Sequence, residues 1–336
     1  NGIDIEDVDW INSGAKIPAS PAEAVPQDWF NLSGHDVSSS GTFVLWENCD
    51  RLTWVTAKGL TRNLEFLLGR IYRKLLRGYG GNDEIDKINL RVVVCDERMQ
   101  NSVEHHIRAN DPLYVTQNTG VPEPDYLPDW VSGTALFDLT KDSTFDVKCY
   151  KENADGDLVE GVVQIKVRTS ESSLKTRTWI NGKQPGNQDH GKHCAKNQGV
   201  SILREGREII LSQAWNATSY DTVDRWWGLE LDFPCELDDF LGVTNNKQSA
   251  DKLLNVAHIS FEDVAEEGET TTSTLERIKT EDPNRAYLLE LCWKIGSWVA
   301  DLHRNIKAQT PPRQTLTESD DPNESRKISY NELFRE

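Results

Sequence analysis

The stretch "RWWGLELDFPCELDDFLGVTNNKQ", residues 225–248, carries the clearest structural pattern in the chain. Large apolar residues alternate there with polar or small ones, at Trp227, Leu229, Leu231 and Phe233. This two-residue period predicts a half-buried β-strand, which Pro234 should end. A short helix is predicted over residues 236–241, then a loop, and a second helix from about residue 249.

The loop of this stretch places one lysine among amide side chains, at Asn245, Asn246, Lys247 and Gln248. An ammonium group surrounded by amide donors suits a phosphate, to which lysine brings a compact point charge. The alternative is a connecting turn in which the asparagines adopt unusual backbone angles. The residues alone favour neither interpretation.

Composition limits the classes of protein that the chain can belong to. Its 336 residues carry a net charge of -18, which argues against a broad nucleic-acid surface because such a surface is basic. The six cysteines are scattered without a CxxC pair, as is typical of reduced thiols in a cytoplasmic protein. No apolar run approaches the roughly 18 residues of a membrane span, so no membrane association is predicted.

The remaining pattern predicts an α+β fold, a mostly antiparallel sheet with helices covering one face. Two β-rich arms flank Glu205 and Gly206 as a hairpin, and an Asp-Gly-Asp turn joins two strands before it. Helices are predicted over residues 57–76, 250–258 and 286–306. A polar, flexible segment is expected over residues 169–197.

Basic residues occupy the polar positions of the 57–76 helix, at Arg62, Arg70, Arg73 and Lys74. The simplest interpretation is a solvated face opposite an apolar one. A nucleic-acid contact is the alternative, and a basic stripe that also includes Arg77 would favour it.

Histidines and a cysteine lie close together in "DHGKHC", at His190, His193 and Cys194. A zinc site needs three or four ligands at fixed spacing, and no second pair follows, so a polar loop is the preferred interpretation. His105 and His106 are adjacent on a predicted short helix near residues 101–108. Neighbouring residues on a helix point in different directions, so they predict no joint site.

Three segments resemble the GHKL ATPases, the superfamily of gyrase B, the ninety-kilodalton heat-shock chaperones, histidine kinases and MutL. "SGTFVLWENCDRL" (residues 40–52) resembles the strand that ends the nucleotide-binding domain of that superfamily. "GVSILREGREI" (199–209) and the 225–248 stretch resemble its second, transducer domain, which has the fold of a ribosomal small-subunit protein. The likeness spans residues 38–260 and is nearest to the MORC-type and bacterial chaperone-like members.

The resemblance implies a role for each matching residue. Lys247 would be the catalytic switch lysine that touches the γ-phosphate of ATP, while Asn245, Asn246 and Gln248 hold its loop. Thr42 would lie under the adenine pocket. ATP and Mg²⁺ would be held only in the intact protein, because the family's ExxxN and DxGxG motifs do not occur before Gly41 and its glycine-rich lid is missing.

The predicted organisation follows from this likeness. Residues 1–56 end the nucleotide-binding domain, 57–260 form the transducer domain, 261–310 a helical extension and 311–336 a flexible tail. The expected partners are an ATPase half, supplied upstream or by a separate chain, a second copy when ATP is bound, and DNA.

Two other classes stay open. One is a nucleic-acid-binding module based on the basic helix. The other is a non-catalytic scaffold for protein contacts, which an exposed apolar patch at Trp293 and Trp298 would favour.

Overall fold

A computed structural model describes residues 51–76, 88–95, 102–116, 119–122, 135–153, 156–180, 182–216, 221–244, 247–311 and 313–314. Two compact units divide the chain: Asn1–Val55 with Val93–Glu104, and Thr56–Val92 with His105–Glu336. The domain boundaries predicted at residues 260 and 310 stay predictions.

The fold is α+β, as predicted, and its centre is a five-stranded sheet in the larger unit. Its strands are β3 (Phe137–Glu152), β4 (Leu158–Ser172), β6 (Val200–Arg204), β7 (Arg207–Ser212) and β8 (Trp227–Phe233). They lie in the order β3-β4-β8-β6-β7, and every pair is antiparallel except β6 with β8. The hairpin predicted at Glu205 and Gly206 is confirmed, with φ of 50° and 80° at these residues.

One face of the sheet is apolar because the large residues of β8 alternate as the sequence predicts. Trp227, Leu229, Leu231 and Phe233 are all buried there. The prediction that the strand is half-buried is wrong, since Gly228 and Glu230 between them are buried as well. The long helix α6 (Pro283–Ala308) packs on this face and contributes residues such as Ile295 to the same core. Each such side chain stabilises the fold by about 1.5–3 kcal/mol.

The opposite face of the sheet is polar, and helix α1 (Ala57–Ile71) lies near it. Thr56 caps α1 by accepting a hydrogen bond from the Gly59 amide at 3.1 Å. The helix ends five residues earlier than predicted, and a 3-10 turn follows at Arg73–Leu75. That turn directs Arg73 toward the sheet, where its guanidinium meets carboxylates of β7 and β8.

The smaller elements complete the described chain. The strands are β1 (Arg91–Cys95) and β2 (Ser102–His106), which pair with each other, and β5 (Trp179–Ile180) and β9 (Arg313–Gln314), which pair in parallel. The helices are α2 (Asp189–Cys194), α3 (Asp238–Leu241), α4 (Asp251–Val256) and α5 (Thr271–Glu281).

Two local predictions are wrong. Residues 102–106 form a strand, not a helix, because β1 offers backbone partners that sequence spacing does not reveal. The segment 169–197 is not a flexible loop, since it contains the end of β4, then β5 and α2, and buries His190. None of the helices in the described ranges combines the length and apolar character that a membrane span needs.

Candidate functional site around the Lys247 loop

The Lys247 loop has a closed base. Helix α3 ends at Gly242, whose φ of 72° is the left-handed conformation in which glycine avoids strain. A β-bridge then joins Val243 to Ala250, and the Asp251 amide donates to the Gly242 carbonyl at 3.0 Å. The two ends of the loop are therefore fixed by backbone hydrogen bonds.

Lys247 itself has a backbone that lysine rarely adopts, with φ of 53°. Its amide donates to the Thr244 carbonyl at 2.8 Å. Its Nζ lies 3.0 Å from Oδ2 of Asp238, and the side chain is 38% exposed. A positive φ at a non-glycine residue costs of order 1 kcal/mol or more, and such residues cluster at ligand sites and switch regions.

Asp238 is already satisfied by another residue. Arg204 donates from Nε and Nη2 to its two oxygens at 2.7 and 2.9 Å, the fork geometry that guanidinium makes with a carboxylate. The pKa of Asp238 is lowered, chiefly because Arg204 donates to the carboxylate, and Lys247 adds to the effect. Asp238 would therefore keep a strong partner if the lysine turned away.

A second arginine contacts the loop backbone. Arg207 donates from Nη2 to the Lys247 carbonyl at 3.5 Å, and its guanidinium lies 5.9 Å from the centre of the Tyr72 ring. The next residue on β7, Glu208, points to the polar face of the sheet. Strand β7 thus joins the loop to the residues around Arg73.

Those residues form a buried ion cluster that sequence reasoning missed. Arg73 is fully buried and donates to Glu208 at 2.9 Å, to Glu230 at 2.7 Å and to Ser201 at 2.7 Å. Nζ of Lys74 lies 2.7 Å from Glu230. In the described part of the chain, the prediction of a solvated basic face is therefore wrong for this end of the helix.

The basic stripe that would favour nucleic-acid binding is interrupted for the same reason. Arg70 lies 2.6 Å from Glu208, and Lys74 lies 3.0 Å from Asp232. Only Arg62 of the helix is exposed among the four predicted members. Arg77 falls outside the described residues.

The ion cluster perturbs its own carboxylates in opposite directions. Burial alone would raise the pKa of Glu230, but the charges of Arg73 and Lys74 outweigh it and lower the pKa to about 2. Burial raises the pKa of Asp111, 4.0 Å from Arg73, and the charge of Glu230 adds to this rise. Glu230 is therefore the carboxylate that the cluster holds ionised.

The other predicted site residues are only partly placed. Gln248 follows Lys247 in the loop and is exposed. Thr42, Asn245 and Asn246 lie outside the described residues, so their roles stay predictions.

Helix α2 carries the three residues considered as metal ligands, His190, His193 and Cys194. Burial and protein contacts account for the position of each. His190 is buried with Nε2 3.0 Å from the Thr176 carbonyl. Burial lowers the pKa of His193 to about 4 and raises that of Cys194 to about 12. Across the described ranges, no three acidic, histidine or cysteine residues are grouped as metal ligands would be.

The tryptophans proposed as an exposed patch are not exposed. Trp298 is buried in the core under the sheet, and Trp293 is half-buried, donating to the Ile259 carbonyl at 2.8 Å. These two tryptophans therefore do not form the exposed apolar patch that would favour a scaffold for protein contacts.

Comparisons with models of protein families, with curated proteins and with solved structures find no match to this chain.

Proposed function

We propose that this chain is the transducer portion of a GHKL-type ATP-dependent switch or clamp, and that Lys247 senses the γ-phosphate. The observation that carries the proposal is the resting position of the lysine. It lies in a loop with a fixed base, and its ammonium contacts a carboxylate that Arg204 already satisfies.

The energetics favour a lysine that can change partner. A partly exposed pair such as Lys247 and Asp238 contributes about 0–1 kcal/mol. A terminal phosphate offers a larger charge and several acceptor oxygens, so the lysine gains by leaving when ATP is presented to it. The exchange would move Lys247 and its backbone, while the bridge from Val243 to Ala250 holds the loop base.

The signal would pass through strand β7. Arg207 holds the Lys247 carbonyl, and its neighbour Glu208 holds Arg70 and Arg73 next to helix α1. A shift of the loop backbone would thus be felt by α1 through two adjacent residues. This contiguous path is one route by which a change at the loop would reach α1.

ATP and Mg²⁺ would be held by an ATPase half supplied upstream or by a separate chain. The closed state would be a homodimer in the cytoplasm. DNA maintenance and phage defence are outputs consistent with the resemblance, and DNA would be the ligand of the dimer. The internal ion pairs of Arg70, Arg73 and Lys74 make a separate nucleic-acid module the weaker alternative.

The test compares ATP hydrolysis by the protein with its ATPase half present, with and without Lys247→Ala. Losing the contact should reduce the turnover rate by about 10–1000-fold while ATP binding persists. Lys252→Ala is the matched control, since its Nζ donates to the Asp239 carbonyl at 2.7 Å and the residue is exposed. Equal turnover in the two variants would refute the sensor role.

A further inference from the structure

A pocket of about 280 Å³ opens in the larger unit, beside α1, the segment after β2 and the end of α2. The residues that line it include Arg62, Glu65, Phe66, Arg108, His193 and Lys196. The proposed ATP switch uses none of them.

The pocket is basic in a strongly acidic chain. Arg62, Arg108 and Lys196 are exposed at its walls, and Glu65 is the single carboxylate among the described residues that line it. Oε1 of Glu65 is itself occupied by Nδ1 of His105 at 3.1 Å. Three cations against one carboxylate leave a formal excess of two positive charges, whereas the whole chain carries -18. Such a local reversal of sign concentrates anions.

A hydrogen-bond chain orients the histidine of the pocket. Asn110 donates to the Phe66 carbonyl at 3.1 Å, and Asn197 donates to Asn110 at 2.6 Å and to the Tyr114 hydroxyl at 2.8 Å. The same hydroxyl lies 3.0 Å from Nδ1 of His193. Donation from the Tyr114 hydroxyl to Nδ1 would place the imidazole proton on Nε2. In that tautomer His193 offers a neutral N–H donor.

Tyr114, the tyrosine of this hydrogen-bond chain, has a strained backbone conformation. Tyr114 has φ of 54° although it is 2% exposed. The Asp111 carboxylate accepts from the amides on either side, Leu113 at 3.0 Å and Val115 at 3.2 Å, and so fixes the turn. Backbone strain that is maintained this way is common at binding sites.

The aromatic ring in the pocket is already engaged. Nζ of Lys196 lies 5.5 Å from the centre of the Phe66 ring, and the His193 ring meets Phe66 edge-on with centroids 5.2 Å apart. The pocket therefore presents cations and N–H donors more than a surface for stacking a nucleobase. Its volume is at the small end of ligand sites, which suits a compact ligand.

We propose that this pocket binds a small phosphate-bearing anion, either inorganic phosphate or pyrophosphate or the phosphate of a monoester. Arg62, Arg108 and Lys196 would neutralise the charge, and His193 would donate one directional hydrogen bond. The proposal does not depend on the ATP switch.

The experiment is calorimetric titration of the chain with pyrophosphate, inorganic phosphate and AMP at low salt. Saturable binding to one site is expected. Lys196→Gln and Arg62→Gln should each weaken the affinity about tenfold, since each removes a charge-assisted contact. A stronger response to AMP than to inorganic phosphate would identify a monoester as the natural source, and the reverse would identify the inorganic ion.

Two controls separate the pocket from general electrostatics and from the Lys247 loop. Lys192→Gln removes an exposed charge from α2, where Lys192 pairs with Asp189 at 3.0 Å, and should leave the affinity unchanged. Lys247→Ala should also leave it unchanged. The proposal is overturned if pyrophosphate shows no saturable binding at millimolar concentration, or if Lys192→Gln weakens binding as much as Lys196→Gln.

Discussion

Substituting Glu230→Gln tests whether the buried ion cluster stabilises the fold through charge. The substitution keeps the size of the side chain but removes the carboxylate that contacts Arg73 at 2.7 Å and Lys74 at 2.7 Å. Folding lowers the pKa of Glu230 from 4.5 to about 2. At about 1.4 kcal/mol per pKa unit, the ionised carboxylate contributes on the order of 3 kcal/mol to the free energy of unfolding.

Part of this loss is recovered elsewhere in the cluster. The charge of Glu230 raises the pKa of Asp111, so removing it makes the ionised form of Asp111 less costly. Arg73 also keeps its contact with Glu208. The expected loss is therefore about 2–3 kcal/mol at pH 7.

The dependence on pH has a definite sign. A carboxylate with a lowered pKa in the folded state stabilises the protein above its unfolded pKa, here 4.5, and loses that contribution as the pH falls toward about 2. The difference between wild type and Glu230→Gln should be constant from neutral pH to near pH 5.5. It should narrow below pH 4.5.

Urea denaturation followed by tryptophan fluorescence measures the loss of stability and its dependence on pH. The pH values should lie on either side of the isoelectric point near 4.9, where solubility is lowest. Glu290→Gln is the control, because Glu290 is exposed on α6 and the same substitution there should change little. A stability difference that is as large at pH 3 as at pH 7 would refute the electrostatic explanation and assign the loss to packing.

Two further predictions concern the loop base and the thiols. Gly242→Ala should lower the free energy of unfolding by about 1–2 kcal/mol and impair ATP turnover. The added Cβ would lie 2.6 Å from Cγ of Lys252, and the φ of 72° is strained for alanine. Unchanged stability in urea would contradict this. Cys194 and Cys292 should resist a thiol reagent until the protein unfolds, since both are buried and burial raises the pKa of each to about 12. Cys235 should react in the native state because it is exposed, but slowly, because its hydrogen bond with Glu205 raises its pKa. Modification of Cys194 or Cys292 in the native protein would contradict that expectation.

The sequence predicted the elements whose signals are local. The two-residue period of β8, the hairpin at Glu205 and Gly206, and the apolar pattern of the long helix α6 depend on neighbours along the chain, and the structure confirms all three. The loop containing Lys247 was predicted from its amide-rich composition and its position after a helix. The contact between Lys247 and Asp238 was not, although these residues are only nine positions apart.

The tertiary structure alone decided which charges are buried. Arg73 resembles the other basic residues of the 57–76 segment in the sequence, yet Glu208 and Glu230 lie 135 and 157 positions away and meet it only when α1 lies beside the sheet. The basic pocket likewise joins α1 to residues near positions 108 and 193. Periodicity records which face of an element avoids water, but the partner of a charge depends on how distant elements pack, because electrostatic energy depends on separation in space and on burial.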